Sequence, residues 1–451
     1  MTAEPLLSSL RAQTYNLPSD KEMSPCLGDG VPFPRNDGSS AMTLKGGKVV
    51  RFGEVCLPAS KSESNRALMV AAYEGFALDF QNLSDSRDTL VLAEAIRRAQ
   101  RGDTTIDIAD CGTAARFMTT FLACHEGEWL LTGTERMKQR PIKPLVEALA
   151  ELGTDIHYAE KQGFLPLQIH GKPLSGGKVS VDMTLSSQFV SSLLLAAPVS
   201  PKGLELELLG SFNSIPYLDM TLSMMRHFGA EAERQGRTIF VKPKPYQSRD
   251  FEISADWSAA SYWYEMAALS DSCEIRLYGL AYPSLQGDSV IKDFMTLLGV
   301  STEQEGKAFV LKKMPMKRQA FVFDFSSTPD LFPTIAATCA GLQVEARFSG
   351  IRNLGSKESD RVGAMQMELS RIGARLERLG ENEAVLVPSP QLPHYEFSSP
   401  LRLNAHNDHR IVMALAPLSM KIGSLSFDHP EVVAKSYPKY WQDASFLSVC
   451  R

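Results

Sequence analysis

The 451 residues carry 47 basic against 52 acidic side chains, a net charge of −5, and 44% of them are hydrophobic. That size supports two domains, or one large domain with inserts, and the charge balance excludes whole-molecule attraction to nucleic acid or anionic lipid, so any anion site must be local. No apolar run approaches the roughly 20 residues needed to span a bilayer, no secretory signal opens the chain, and seven scattered cysteines argue against a disulfide framework or a structural zinc site. A soluble protein of the reducing cytoplasm is the expectation.

Residues 1–41 are rich in Pro, Ser, Gly and charge without a sustained period, which predicts a tail unable to order itself, with Met42 a possible natural start. After Met42 one theme recurs: an apolar helix, a short strand, a linker, a second and amphipathic helix, and often a "LG" or "FG" stop before another strand. Copies begin near Ala67, Phe117, Phe189, Ala260, Leu331 and Arg410, and six copies suggest two domains of three. In "SVIKDFMTLLG" the residues Val290, Ile291, Phe294, Leu297 and Leu298 share one helical face, and Gly299 is placed to end the helix. "ELELLG" and "EIRLYG" alternate with period two, as half-buried strands do.

The unusual polar clusters fall at two places in this cycle. "ASKSESNR" (59–66), "DCGTAAR" (110–116), "SSQ" (186–188), "STPD" (327–330) and "NDHR" (407–410) precede or open a first helix. "KQRP" (138–141), "GSKESDR" (355–361) and "AKSYP" (434–438) lie in the linker before a second. Helix starts expose unpaired N–H groups and partial positive charge, so with Lys, Arg, Ser and Thr they make anion sites. Each cluster alone has a plainer reading, an N-cap or a solvated cation. If equivalent helix starts converge, they gather Lys61, Arg66, Arg140, Lys357, Arg361, Arg410 and Lys435, a set suited to substrates with several phosphate and carboxylate groups.

Asp330 and Glu358 stand out within this basic set as a candidate proton-transfer pair, against an N-cap for the first and a helix-start carboxylate for the second. Asp360 reads as a helix-start or bracing residue. His406 and His409 lack an evident third ligand for a metal, no GxxxxGK[ST] occurs, "GTERMKQR" lacks the aromatics of an RNA-binding strip, and Cys111 reads as a small buried thiol.

These motifs follow one another in an order that resembles the 5-enolpyruvylshikimate-3-phosphate synthase family: "LPASKSESNRALMVAA", "GTAAR", "GTERMKQRPIKPLVEALAELG", "SSQFVSSLLLAAP", "SIPYLDMTLSMMRHFG", "DWSAASYW", "PDLFPTIAA", "KESDRVGAM", "NDHRIVMA" and "VVAKSYPKYW", across roughly residues 43 to 445. The resemblance implies an α/β fold of two domains, each of three βαβαββ-type repeats in an inside-out α/β barrel, with the active site in the interdomain cleft. The implied division is 42–58 plus 257–451 for a discontinuous first domain and 59–256 for the second. The implied reaction moves the enolpyruvyl group of phosphoenolpyruvate to the 5-hydroxyl of shikimate 3-phosphate and releases phosphate, on the way to chorismate and the aromatic amino acids. No cofactor and no metal is implied, and the expected partners are the two small substrates, with no nucleic acid, no membrane and a monomeric chain.

Carried over motif by motif, the resemblance assigns shikimate 3-phosphate to Lys61, Ser62, Arg66, Ser186, Ser187, Gln188, Ser214, Tyr217, Asp330, Asn353 and Lys357. It assigns phosphoenolpyruvate to Lys61, Asp110, Gly112, Arg140, Gln188, Arg361, Arg410 and Lys435. Asp330 is the implied base for the attacking hydroxyl, Glu358 the implied acid for the methylene carbon, and Lys61 the third catalytic group. Departures from the family pattern are Ala59 for Gly in "LPASKS", Asp110 for Asn in "DCGTA", Phe117 for the Pro that often follows, and "GSK" for an aromatic-basic stretch. Reduced sensitivity to glyphosate is expected from them. The alternatives are an enolpyruvyl transferase acting on UDP-N-acetylglucosamine and an inactive member that binds phosphorylated metabolites or another protein.

Overall fold

Strands of period two and helices of period 3.6 alternate because the chain needs a helical crossover each time it lays one strand parallel to the last. In the computed structural model, which describes residues 42–44, 53–76, 80–316, 320–396, 398–445 and 449–450, this produces one sheet pattern repeatedly. Thr105–Asp107 and Gly127–Thr132 pair in parallel around the helix Gly112–Cys124, and the hairpin strands Asp155–Tyr158 and Leu167–Gly171 complete the sheet antiparallel. The same four-strand order is built from Gly177–Asp182, Leu204–Leu209, Thr238–Val241 and Ala232–Gln235, and again from Ala320–Asp324, Glu345–Ser349, Glu383–Val387 and Arg375–Arg378. The tail expected over 1–41 lies outside the described residues.

Two sheets recruit distant segments. Gly53–Cys56 runs parallel to Glu274–Tyr278, more than 200 residues on, beside Ala308–Lys313 and Val300–Glu305. Leu401–Leu403 and Leu425–Phe427 are finished by Met42–Leu44 and Val449–Cys450. The remaining copy keeps its helices, Lys61–Glu74 and Arg87–Arg101, but among the described residues its sheet is reduced to one parallel bridge between Gln81 and Glu252.

Among the described residues the chain divides into two units, 61–84 with 88–253, and 42–60 with 85–87 and 254–450. Each unit has its own core. In the first, the helices Lys61–Glu74, Gly112–Cys124 and Ser187–Ala196 pack on one another; in the second, Trp257–Leu269, Phe332–Gly341 and His409–Leu415 do. These first helices are buried almost all round, which is why their sequences show little amphipathic periodicity. The second helices are amphipathic: in Arg87–Arg101 the side chains of Leu92, Ala95, Ile96 and Ala99 are buried while Leu90 is exposed.

Two expectations are corrected. The helix Ile291–Leu297 buries Ile291 and, just past its end, Leu298, with Gly299 at φ +86° behind them, but Leu297 is 44% exposed. The first turn is a 3-10 segment, Gly287–Val290, so the 3.6-residue phase assumed from Val290 does not hold. Secondly, Cys56 is disulfide-bonded, whereas Cys111, Cys124, Cys273 and Cys339 are free. Among the described residues no helix is long and apolar enough to cross a membrane.

Candidate active site

Within each unit the starts of the three buried helices come together. In the first unit Gln188, in the first turn of Ser187–Ala196, donates its side-chain N–H to Thr113 Oγ1 in the first turn of Gly112–Cys124, at 3.0 Å. Arg66, on the second turn of Lys61–Glu74, donates to Thr221 Oγ1 (2.7 Å), Ser191 Oγ (3.4 Å) and the carbonyls of Ser62 (2.9 Å) and Tyr217 (3.2 Å). All four acceptors are neutral oxygens. Burial lowers the Arg66 pKa to about 10 against the opposing pull of Glu63, and the group stays cationic at neutral pH, so a buried positive charge whose four acceptors above are neutral can attract an anion. Its guanidinium lies 5.9 Å from the Phe117 ring and 6.0 Å from the Tyr217 ring. The Phe117 side chain that replaces the family's Pro is therefore packed beneath this cation.

Lys61 opens its helix and its ammonium pairs with Asp88 Oδ2 at 3.1 Å, with the lysine side chain 14% exposed and the aspartate 4%. Asp88 went unnoticed in the sequence because it is 27 residues away on another helix. Gly112 lets two guanidinium groups approach closely: a Cβ there would lie 2.7 Å from Arg140 Nη1 and 2.8 Å from Arg116 Nη1, so these side chains would have to move aside. Two buried guanidinium groups thus face the backbone of one helix N-terminus. The cap of that helix is Cys111, whose sulfur accepts from Ala114 N, so half-buried Asp110 is not the cap. Ser186 caps Ser187–Ala196 by accepting from Gln188 N, Ser187 is buried behind it, and buried Ser214 precedes Ile215–His227 in the left-handed region at φ 60°.

In the second unit Arg410, from the helix His409–Leu415, donates to Asp330 Oδ2 at 2.7 Å and to Ser258 Oγ, in the first turn of Trp257–Leu269, at 3.4 Å. Asp330 itself lies in the 3-10 turn Pro329–Leu331 that leads into Phe332–Gly341. Arg361 is almost fully buried and serves three carboxylates from three nitrogens: Asp330 Oδ1 at 2.6 Å, Glu358 Oε2 at 2.8 Å and Asp408 Oδ2 at 2.9 Å. Burial alone would depress the Arg361 pKa, but these anions outweigh it and raise it. Burial alone would raise that of Asp330; the charges of Arg410, Arg361 and Lys357 outweigh it and hold this carboxyl far below its usual range.

The N-cap reading of Asp330 is corrected here, since its oxygens go to two arginines. Glu358 likewise braces Arg361, and it is Asp360 that caps Arg361–Ser370, accepting from Gly363 N at 3.2 Å. Asp408 does two jobs, with one oxygen capping His409–Leu415 through Arg410 N and the other holding Arg361 and Ser359. Asp288 joins the same network through Ser258, and burial together with Asp330 raises its pKa to about 7. The "NDHR" cluster marks Asp408 as a helix-start residue but not its bond to Arg361, 47 positions away, and Asp288 meets Ser258 across 30 positions.

Lys357 follows the 3-10 turn Arg352–Ser356 and is half-buried, Asn353 is buried in that turn with Oδ1 lacking a partner, and Lys435 is buried at the end of Pro430–Lys435. His406 is bonded to the buried Glu368 at 2.7 Å, and His409 is buried; neither belongs to a group of potential metal ligands among the described residues.

Comparison with known proteins converges on one family. A family model described as EPSP synthase (3-phosphoshikimate 1-carboxyvinyltransferase) matches residues 99–444. A 3-phosphoshikimate 1-carboxyvinyltransferase of Bacteroides fragilis (strain YCH46) is 42% identical over 86% of this chain and 93% of its own length. The protein of that name in Sulfurovum sp. (strain NBC37-1) is 33% identical over 91% and 99%. In fold, the EPSP synthase structure from Acinetobacter baumannii matches 91% of this chain and 100% of its own with a TM-score of 0.69 at 19% identity. With its sheets, its converging helix starts and these relatives, the chain belongs to the EPSP synthase family.

Proposed function

We propose that the two helix-start clusters hold phosphoenolpyruvate and shikimate 3-phosphate, with Lys61, Asp330 and Glu358 as the catalytic groups. The chain is a 3-phosphoshikimate 1-carboxyvinyltransferase of the shikimate pathway, which transfers the enolpyruvyl group to the 5-hydroxyl of shikimate 3-phosphate and releases phosphate. In the proposed sequence the hydroxyl oxygen adds to C2 of phosphoenolpyruvate, its proton passing to Asp330, while Glu358 gives a proton to the methylene carbon. Loss of phosphate and return of a proton from that carbon then restore the double bond. Fixed cations favour the intermediate, which carries both phosphates, over either substrate.

The observation that carries this reading is the double anchoring of Asp330 by Arg361 and Arg410. An aspartate so placed is ionised at every working pH but is a weak base. When substrate phosphate and carboxylate oxygens compete for those guanidinium groups, the hold on Asp330 loosens and its proton affinity rises, which couples base strength to occupancy. Shikimate 3-phosphate is assigned to Lys61, Ser62, Arg66, Ser186, Ser187, Gln188, Ser214, Tyr217, Asp330, Asn353 and Lys357. Phosphoenolpyruvate is assigned to Lys61, Asp110, Gly112, Arg140, Gln188, Arg361, Arg410 and Lys435. Cytoplasmic location, a monomeric state and reduced glyphosate sensitivity belong to the same proposal.

The test is phosphate release from purified protein with both substrates and with each omitted in turn. Release that needs both, with the enolpyruvyl product identified, is expected; release with UDP-N-acetylglucosamine in place of shikimate 3-phosphate, or none from a folded protein, overturns it.

A further inference from the structure

The sheet of Thr105–Asp107, Gly127–Thr132, Leu167–Gly171 and Asp155–Tyr158 carries a second constellation on its exposed face, made of residues that belong to none of the basic clusters. Register sets it up: His170 faces Asp155 on one neighbouring strand and Glu128 on the other. His157, two residues beyond Asp155, shares that face. The alternate residues Trp129 and Ile169 are buried in the core, so a one-residue slip would bury the charged set and the register is firmly held.

Asp155, His157 and His170 each offer one ligand atom, and these atoms lie within 4.8 Å of one another. His157 Nε2 is 2.8 Å from Asp155 Oδ1, His170 Nδ1 is 3.6 Å from Glu128 Oε1, and the two imidazole rings are 6.0 Å apart between centroids. All four side chains are exposed, between 46% and 83%, so small rotations about χ1 and χ2 can draw the donors in to the separation that a four-coordinate ion imposes. Two imidazoles with one or two carboxylates suit a borderline divalent ion with Zn–N and Zn–O distances of about 2.0–2.2 Å, and disfavour Mg²⁺ and Ca²⁺, which prefer all-oxygen shells.

We propose that this face binds one Zn²⁺-class divalent ion through His157, His170 and Asp155, with Glu128 or water completing the shell. The ion ties together the two strands of the edge hairpin 155–171, reaching the strand 127–132 when Glu128 is the fourth ligand, and takes no part in the transfer reaction. The site is open to solvent and its donors are close together before the ion arrives, so the ion adds stability to the folded chain that grows with the logarithm of its free concentration above the Kd.

The experiment is equilibrium competition of the full chain for Zn²⁺ against a chromogenic chelator, run beside the double variant His157→Gln, His170→Gln, with thermal melting of both with and without Zn²⁺. The wild type is expected to take up one ion that the variant holds at least about tenfold more weakly. Its Tm should rise with Zn²⁺ while the variant's does not, and turnover of the variant should match wild type because neither histidine is assigned to a substrate or a catalytic step. Equal Zn²⁺ affinity in the two proteins, or no saturable uptake by the wild type, overturns the proposal.

Discussion

Asp330 shows how a single carboxylate is made catalytic by what surrounds it. Arg361 and Arg410 each give it one short hydrogen bond, and Arg361 in turn is shared with Glu358 and Asp408. Asp330→Ala and Glu358→Ala are each expected to lower kcat by about 10²–10⁴-fold with far smaller changes in substrate KM, as removal of a proton-transfer group does. Steady-state kinetics checks this, and near-normal turnover in either variant removes that residue from the mechanism. A different carboxyl, Glu265, is fully buried with neither oxygen hydrogen-bonded, and burial holds its pKa well above the ordinary carboxyl range. The folded chain therefore keeps a proton that the unfolded chain releases, and stability falls as pH rises above the usual glutamate pKa toward the raised one. Glu265→Leu is expected to gain about 1–4 kcal/mol at pH 8, with the gain shrinking toward pH 4; denaturant midpoints measured at both pH values check it, and an equal gain at both would contradict the account.

At the scale of elements, function depends on where helices begin. The helix Arg361–Ser370 starts because Asp360 accepts from Gly363 N, and that start places Arg361 against its three carboxylates. Asp360→Ala is expected to cost about 1 kcal/mol of stability, whereas Asp360→Asn, which still caps, costs little; thermal melts of both variants separate the cap from the ion pair with Arg378. Such starts were legible: "ASKSESNR", "DCGTAAR", "SSQ", "STPD" and "NDHR" all fall at observed helix or 3-10 starts, because capping and anion binding draw on the same few residue types. The assignments within them were less legible. Cys111 rather than Asp110 caps its helix, and Asp330 does not occupy an N-cap position, since choosing between neighbouring polar residues depends on φ and ψ. Leu297 misled for a related reason: a 3-10 turn shifted the helical phase.

For the molecule as a whole, two sheets are closed by strands that the chain lays down hundreds of residues earlier. Met42–Leu44 sits between Leu425–Phe427 and Val449–Cys450, with Met42 and Leu44 buried in the core of the second unit. A chain starting at Gly53 loses that central strand, leaves two edges unpaired and exposes core surface, and is expected to fold poorly and lose activity, whereas one starting at Met42 keeps both. Comparing soluble yield and turnover of the two checks this; equal behaviour would mean the strand contributes nothing.

By itself the sequence determined the repeated alternation of apolar and amphipathic helices, the polar clusters at their starts, and through the order of its motifs the family and reaction, because all of these are written in local period, local chemistry and linear order. Only the tertiary structure decided that Asp88 meets Lys61, that Asp408 and Asp288 join the arginine network, that Cys56 is cross-linked, and that Asp155, His157 and His170 stand abreast. The carboxylate and histidine partnerships depend on strand register or helix packing between segments apart in sequence. Such partners are chosen by burial of the core as a whole, a quantity no short stretch of chain contains.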